Sequence, residues 1–195
     1  MTKKEKIHIV AICGSVRSGS NTSKVLAIVI DELSKQDHVS VTLVDPNEFE
    51  LPLPGKKGAT PSDVLEKIAA EATGLILATP EYHGSYSSVM KLIIENLGYP
   101  SVIAGKPVAL LGVASGQIGA IKAIEHLSSV CAHIGAIVLP GPVSVANVHK
   151  LLGPNGECLD KNVEKRIRNL GMTLVNYIRQ NLSPHTALEE MVRKE

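Results

Sequence analysis

Short aliphatic runs alternate along this chain with stretches in which apolar residues recur every three or four positions. Four runs predict buried strands: Ile7–Cys13, Val39–Asp45, Gly74–Thr79 and Pro107–Ala114. Ala136–Pro140 is a weaker fifth. Each is rich in Val, Ile and Leu without regular polar alternation, as expected of parallel strands covered on both faces. The intervening stretches carry helical faces. Leu26, Val29, Ile30 and Leu33 line the first, and Val64, Leu65 and Ile68 the second. Val89, Met90, Ile93, Ile94 and Leu97 line the third, and Ile118, Ile121, Ile124 and Leu127 a fourth ending near Ile134. A last helix carries Val163, Ile167, Leu170, Leu174 and Ile178.

Strand and helix thus alternate five times, which implies a parallel sheet with helices on both sides. Right-handed crossovers leave few topologies for such a chain. The expectation is an α/β, flavodoxin-like three-layer sandwich with a five-stranded parallel sheet of order 2-1-3-4-5. One domain over residues 1–195 is expected, with a core at about 6–181 and a charged tail over 182–195 that frays or docks weakly. Pro46–Pro61 and Gly141–Asp160, both rich in Pro and Gly, read as excursions.

In a sheet wound this way, ligands sit beyond the carboxyl ends of the strands where the winding direction switches. That singles out the loops after the first, third and fourth strands. The first, Gly14–Ser23, is small and polar and opens a helix, whose free N–H groups and partial positive charge favour a phosphate. Ser15, Ser20 and Thr22 add hydroxyls and Arg17 adds full charge. An ordinary cap accounts for one or two of these residues, not for the set. Neither the Gly-Lys-Ser/Thr of a Walker loop nor G-x-G-x-x-G is present. Cys13 invites comparison with a cysteine phosphatase cradle, but the arginine stands at 17 where that cradle needs one at 19, so Cys13 reads as a small buried hydrophobe.

In the loop after the third strand, Thr79–Ser88, Pro80 and Gly84 set the chain path and a run of peptide groups could face the edge of a flat ring such as a flavin. On the plainer reading, Glu81-Tyr82-His83 is a polar turn. The loop after the fourth strand offers Ser115, Gly116 and Gln117, with Ser115 as a helix cap the equally good alternative.

Gly14-Ser15-Val16-Arg17-Ser18-Gly19-Ser20, followed at the right distance by Pro80-Glu81-Tyr82-His83-Gly84-Ser85 and Met90-Lys91, resembles the NAD(P)H-dependent FMN reductase family, which includes quinone, azo-dye and chromate reductases. The resemblance runs from about residue 6 to 181. It implies that Ser15, Arg17, Ser20, Asn21 and Thr22 hold the FMN phosphate. It implies too that Pro80, Glu81, Tyr82 and His83 border the isoalloxazine with Gly84 shaping the turn, and that a Gly-rich segment, here Ser115, Gly116 and Gln117, sits beside the ring. NADPH or NADH would be the reductant and a quinone, flavin, azo compound or metal ion the acceptor, in ping-pong alternation. The chain departs from the family at Asn21-Thr22, where many members have an aromatic residue before Asn, and at Glu95-Asn96-Leu97, where an apolar-Trp ending is usual. No general acid or base and no metal ligand is expected, because the cofactor carries the chemistry.

Composition separates the remaining classes. A net charge of +1 without a long basic run argues against nucleic acid, and no apolar stretch reaches membrane-spanning length. Three widely spaced cysteines, Cys13, Cys131 and Cys158, fit no disulfide or zinc pattern and point to the cytoplasm. His126 and His133 with Cys131 lack a third well-spaced ligand. A flavodoxin-type electron carrier is the main rival, but such carriers are strongly acidic and flank the ring with aromatics, and aromatic residues are only 3% here. A sheet that has lost flavin and serves as a binding module is the third reading. The third and fourth helices carry more apolar residues than one sheet face requires, which predicts a homodimer or homotetramer.

Overall fold

The computed structural model describes residues 6–56 and 63–182. The charged tail beyond Pro184 and the end of the 46–61 excursion lie outside these residues.

The central sheet has strands β1 (Ile7–Cys13), β2 (Val39–Val44), β3 (Gly74–Tyr82) and β5 (Pro107–Val113), completed at one edge by β6 (Ile137–Val138) and β7 (Val143–Val145). Its order is β2-β1-β3-β5-β6, all parallel. This is the expected 2-1-3-4-5 arrangement with the fifth position divided. Pro140-Gly141-Pro142 divides it: proline has no N–H for the ladder, so the edge strand breaks and resumes as β7 beside Leu111–Val113. The excursion expected from Gly141 therefore begins with a piece of the sheet.

Alternation along the buried strands serves two cores. Ile9, Ala11 and Cys13 of β1 face one side, packed with Leu26 and Val29 of α1 (Asn21–Ser34) and Leu170 and Leu174 of α6 (Lys161–Asn181). Val10 and Ile12 face the other, packed with Leu65 of α2 (Asp63–Glu71), Met90 and Ile93 of α3 (Ser88–Glu95) and Leu127 of α4 (Ile121–His133). Arg168 of α6 pairs with Asp31 and Glu32 of α1 and with Glu164, tying the two helices at the surface.

Five sequence expectations need correction. The third-strand loop is not open: β3 runs on through Tyr82 and folds back as β4 (Ser85–Tyr86), with Glu81 opposite Tyr86. The fourth helix begins at Ile121, and Ile118 lies in the preceding loop at 76% exposure. The third helix ends at Glu95, with Leu97 buried in the turn beyond, and Val64 points to solvent. The apolar excess on the third and fourth helices is also smaller than expected: Met90, Ile93, Ile94, Ile124 and Leu127 are all absorbed by the core, leaving Ile121 exposed.

Candidate functional site

The site begins where β1 ends. Gly14 passes close to β3, its N–H donating to the Ala78 carbonyl at 2.7 Å. A Cβ there would meet that oxygen and Met90 at 3.0 Å, so a larger residue would press the loop away from the sheet. The chain then turns into α1. Ser20 caps the helix by accepting from the Ser23 N–H at 3.1 Å, and the Ser23 hydroxyl donates back to the Ser20 carbonyl at 2.8 Å. The cap serves Ser23 only. Among the described residues the N–H groups of Asn21 and Thr22 find no acceptor, and they open the helix at its positive end. Ser15 and Thr22 are buried, and the Ser15 hydroxyl accepts from the Arg17 N–H at 3.4 Å.

A serine locks this loop to the hairpin. Buried Ser87 donates its hydroxyl to the Gly14 carbonyl at 2.6 Å and accepts from the Met90 N–H at 3.0 Å, capping α3. Its own N–H donates to the Thr79 hydroxyl at 3.0 Å, which in turn donates to the Pro80 carbonyl at 2.9 Å. The β3–β4 turn is His83-Gly84, both with positive φ (50° and 74°), as a two-residue hairpin of the primed type requires. The Glu81 carboxylate accepts from the Gly84 N–H across it. Ser85 Oγ and His126 Nδ1 of α4 are in hydrogen-bond contact at 3.0 Å, so α4 braces the hairpin from behind.

The third segment follows β5. Ala114 N–H donates to the Val145 carbonyl at 2.8 Å, and the Ala114 carbonyl accepts from Val148 at the start of α5 (Val148–Leu151) at 3.1 Å. Ser115 does not cap α4: Ala120 holds that position, its N–H bound by the Ser144 hydroxyl at 2.9 Å. Ser115 is instead free and exposed at the carboxyl end of the sheet.

These segments enclose one cavity of about 300 Å³ lined by Ser15, Arg17, Ser20, Asn21, Thr22, Pro80, Glu81, Tyr82 and Ser115. Nine residues expected from three separate loops thus converge. His83, Gly84, Gly116 and Gln117 do not line it. His83 and Gly84 form the hairpin tip, and Gly116 is spent on backbone contacts, its carbonyl accepting from Gly119 and Asn147. Ser18 and Gly19 of the first loop, Val113 at the end of β5 and Val148, which no local sequence signal marked, complete the wall.

The cavity suits a phosphate ester better than a nucleophilic reaction. Backbone donors, hydroxyls and a guanidinium converge, while the one nearby thiol is closed off. Cys13 is 3% exposed, and burial pushes its thiol up, only partly opposed by a backbone hydrogen bond from Ser15. Among the described residues no helix is long and apolar enough to cross a membrane, and no three His, Cys, Asp or Glu side chains gather as a metal site.

Residues 7–150 match the sequence model of a family described as NADPH-dependent FMN reductase. A 2-hydroxy-1,4-benzoquinone reductase of Burkholderia sp is 31% identical over 103 residues, covering 51% of this chain and 56% of that protein. An FMN-dependent NADPH-azoreductase of Staphylococcus aureus (strain USA300) is 30% identical over 189 residues, 91% of this chain and 97% of that one. Among solved structures, the flavoenzyme NAD(P)H:(acceptor) oxidoreductase FerB from Paracoccus denitrificans superposes with a TM-score of 0.75 at 21% identity, covering 89% of this chain and 98% of that one.

Proposed function

The chain belongs to the NADPH-dependent FMN reductase family and is an FMN-dependent oxidoreductase fed by a reduced nicotinamide nucleotide; on that premise we propose that the cavity between Ser15–Thr22 and Pro80–Tyr82 holds the FMN and that the acceptor is a quinone or azo compound. The observation that carries the placement is the convergence of the three carboxyl-end segments on one cavity. The residues fit the group. The free N–H groups of Asn21 and Thr22, the hydroxyls of Ser15 and Thr22 and the Arg17 guanidinium supply the donors a phosphate monoester needs. Pro80, Glu81 and Tyr82 form the opposite wall, held by Ser87 and by the hairpin, and Ser115 offers a further donor.

A bound FMN would supply the hydride-accepting and electron-transferring chemistry. The protein's part is to hold the phosphate, orient the ring against the β3–β4 hairpin and leave one face open to both partners in turn. Tyr82 is 39% exposed and His83 is exposed, so the hairpin offers an open rim rather than a lid. Flat, conjugated acceptors are favoured by such an opening, in keeping with the quinone and azo substrates named for two relatives.

The reading extends to assembly and location. Tyr99 is wholly exposed, Ile118 and Ile121 are 76% and 57% exposed, and a groove of about 750 Å³ lies between the ends of α3 and α4 beside Tyr99. A second copy docking there would make the homodimer. The chain is read as one flavodoxin-like domain, and Cys13, Cys131 and Cys158 are all unpaired, as suits the cytoplasm.

The test is anaerobic stopped-flow mixing of FMN-loaded protein with NADPH and with NADH, then with a benzoquinone or an azo dye. The flavin colour should bleach with at least one nucleotide and return with the acceptor. No bleaching with either nucleotide would contradict the reading. A monomeric mass by light scattering at micromolar concentration would contradict the dimer.

A further inference from the structure

The cavity between Ser15–Thr22 and Pro80–Tyr82 is lined by one cation, Arg17, and one anion, Glu81. Two such groups in one pocket would ordinarily pair, since a guanidinium and a carboxylate match each other with two parallel hydrogen bonds. Here they do not. Among the described residues neither takes part in an ion pair. The Arg17 guanidinium sits over the Tyr82 ring, 5.3 Å from its centroid. The Glu81 carboxylate is taken by the hairpin turn instead, its Oε1 accepting from the Gly84 N–H. Its Oε2 meets no protein donor among the described residues.

The separation has an electrostatic consequence. A closed ion pair presents little field to a ligand, whereas separate partners leave both charges acting on it. The phosphate donors gather around Arg17 and the amino end of α1, and Glu81 stands in the opposite wall with Pro80 and Tyr82. The cavity is therefore polarised, positive where the phosphate of FMN is placed and negative where its ring is placed. Glu81 is only partly buried, so water and salt weaken its field without cancelling it.

We propose that Glu81 sets the reduction potential of the bound flavin, holding it lower than the same hairpin would without the charge. The inference rests on the placement of FMN argued above. A hydride brings two electrons and one proton to the ring, so the reduced ring carries one more negative charge than the oxidised ring. A carboxylate beside it repels that charge and weakens binding of reduced FMN relative to oxidised FMN. The flavin then gives electrons to an acceptor more readily and takes a hydride less readily. A side chain kept only to staple the hairpin would need an acceptor oxygen and no charge, and the amide of a glutamine would serve as well.

The test is a redox titration of FMN-loaded protein against a dye of known potential, run on the wild type, Glu81→Gln and Glu81→Ala. Glu81→Gln keeps an acceptor for Gly84 and removes the charge. It should tighten binding of reduced over oxidised FMN about tenfold, which raises the two-electron midpoint by about 30 mV. The rise should shrink at about 1 M salt, where screening is short-ranged. Glu81→Ala should raise the midpoint as much. It should also lower the urea midpoint of the FMN-free protein, because the Gly84 N–H loses its partner, whereas Glu81→Gln should not.

An unchanged or lower midpoint in Glu81→Gln would overturn the proposal. So would a rise that ignores salt, which would reflect a new hydrogen bond from the amide, or a rise confined to Glu81→Ala, which would make Glu81 a staple only. The placement of FMN is judged separately by Arg17→Ala. If Arg17→Ala weakens FMN while Glu81→Gln leaves the midpoint where it was, the cavity holds FMN and Glu81 does not tune it. If neither variant has an effect, FMN lies elsewhere and both readings fall.

Discussion

The Arg17 guanidinium lies 5.3 Å from the centroid of the Tyr82 ring. The two residues are far apart in sequence, yet both line the cavity beyond the carboxyl edge of the sheet. The contact also places the one cation among the residues lining the cavity beside the β3–β4 hairpin.

Removing that charge should weaken FMN. Charge-assisted hydrogen bonds contribute about 1.5–3 kcal/mol, so Arg17→Ala is expected to raise the FMN Kd by roughly 10- to 100-fold. Arg17→Lys restores a point charge but neither the planar fork nor the stacking, and should recover only part of the loss. Tyr82→Leu removes an exposed cation–π contact worth about 0.5–1 kcal/mol and should change Kd less. Quenching of FMN fluorescence on titration measures all three. Wild-type affinity in Arg17→Ala would place the phosphate elsewhere.

Ser87 should matter to stability before any ligand is present. It is 1% exposed and makes three of the contacts that join the first loop, β3 and α3. Ser87→Ala leaves the Gly14 carbonyl without its donor and α3 without its cap, at a cost of about 2–3 kcal/mol. Urea unfolding of the FMN-free protein checks this. A loss below about 0.5 kcal/mol would show the lock to be redundant.

Much of the fold was legible because the strands are buried on both faces. Ile7–Cys13 stands at the expected bounds, and Gly74 and Pro107 begin their strands as read. Legibility failed where proline and glycine carry two meanings. Pro80 and Gly84 read as a loop, yet Pro80 lies in register with Val113 and Gly84 turns a hairpin. Pro140-Gly141-Pro142 read as the end of the sheet, yet only interrupts its edge. Nine of the thirteen site residues named from local runs line the cavity, whereas Val148 and His126 were not named among them. Each acts through a contact with a distant segment, Val148 through the Ala114 carbonyl and His126 through Ser85, and no local pattern encodes such contacts.

Gly112 tests how tightly α4 is held to the sheet. A Cβ at this position of β5 would lie 2.6 Å from the Ala120 Cβ and 2.9 Å from the Ile124 side chain. Ala120 is the N-terminal cap of α4, so it cannot swing aside as a flexible side chain would. Gly112→Ala should therefore cost about 1–3 kcal/mol through overpacking and displace the Ser115–Gly119 segment. Chemical denaturation reads the first effect. The second should appear as weaker FMN binding, because Ser115 lines the cavity. A neutral substitution would mean that α4 shifts freely.

The buried thiols predict a loss of stability on the alkaline side. Burial pushes Cys131 up to about 12, and it raises Cys13 as well. An unfolded cysteine ionises near its ordinary value of about 8.5. The folded state thus holds its thiol proton more tightly than the unfolded state does. The stability this represents is fully present below about pH 8.5 and is lost as pH rises towards 12, at up to about 1.4 kcal/mol per pH unit for each thiol. Urea midpoints measured from pH 8 to 10.5 should fall accordingly, and Cys131→Ala should flatten the decline. The same burial predicts reactivity. Cys158 is partly exposed in the 153–160 loop, whereas Cys13 and Cys131 are closed to solvent. At pH 8 a disulfide reagent should therefore titrate one thiol rapidly in the native protein and the other two only after unfolding. A second fast thiol would mean that the β1 end or the α4 core opens on the time scale of the reagent.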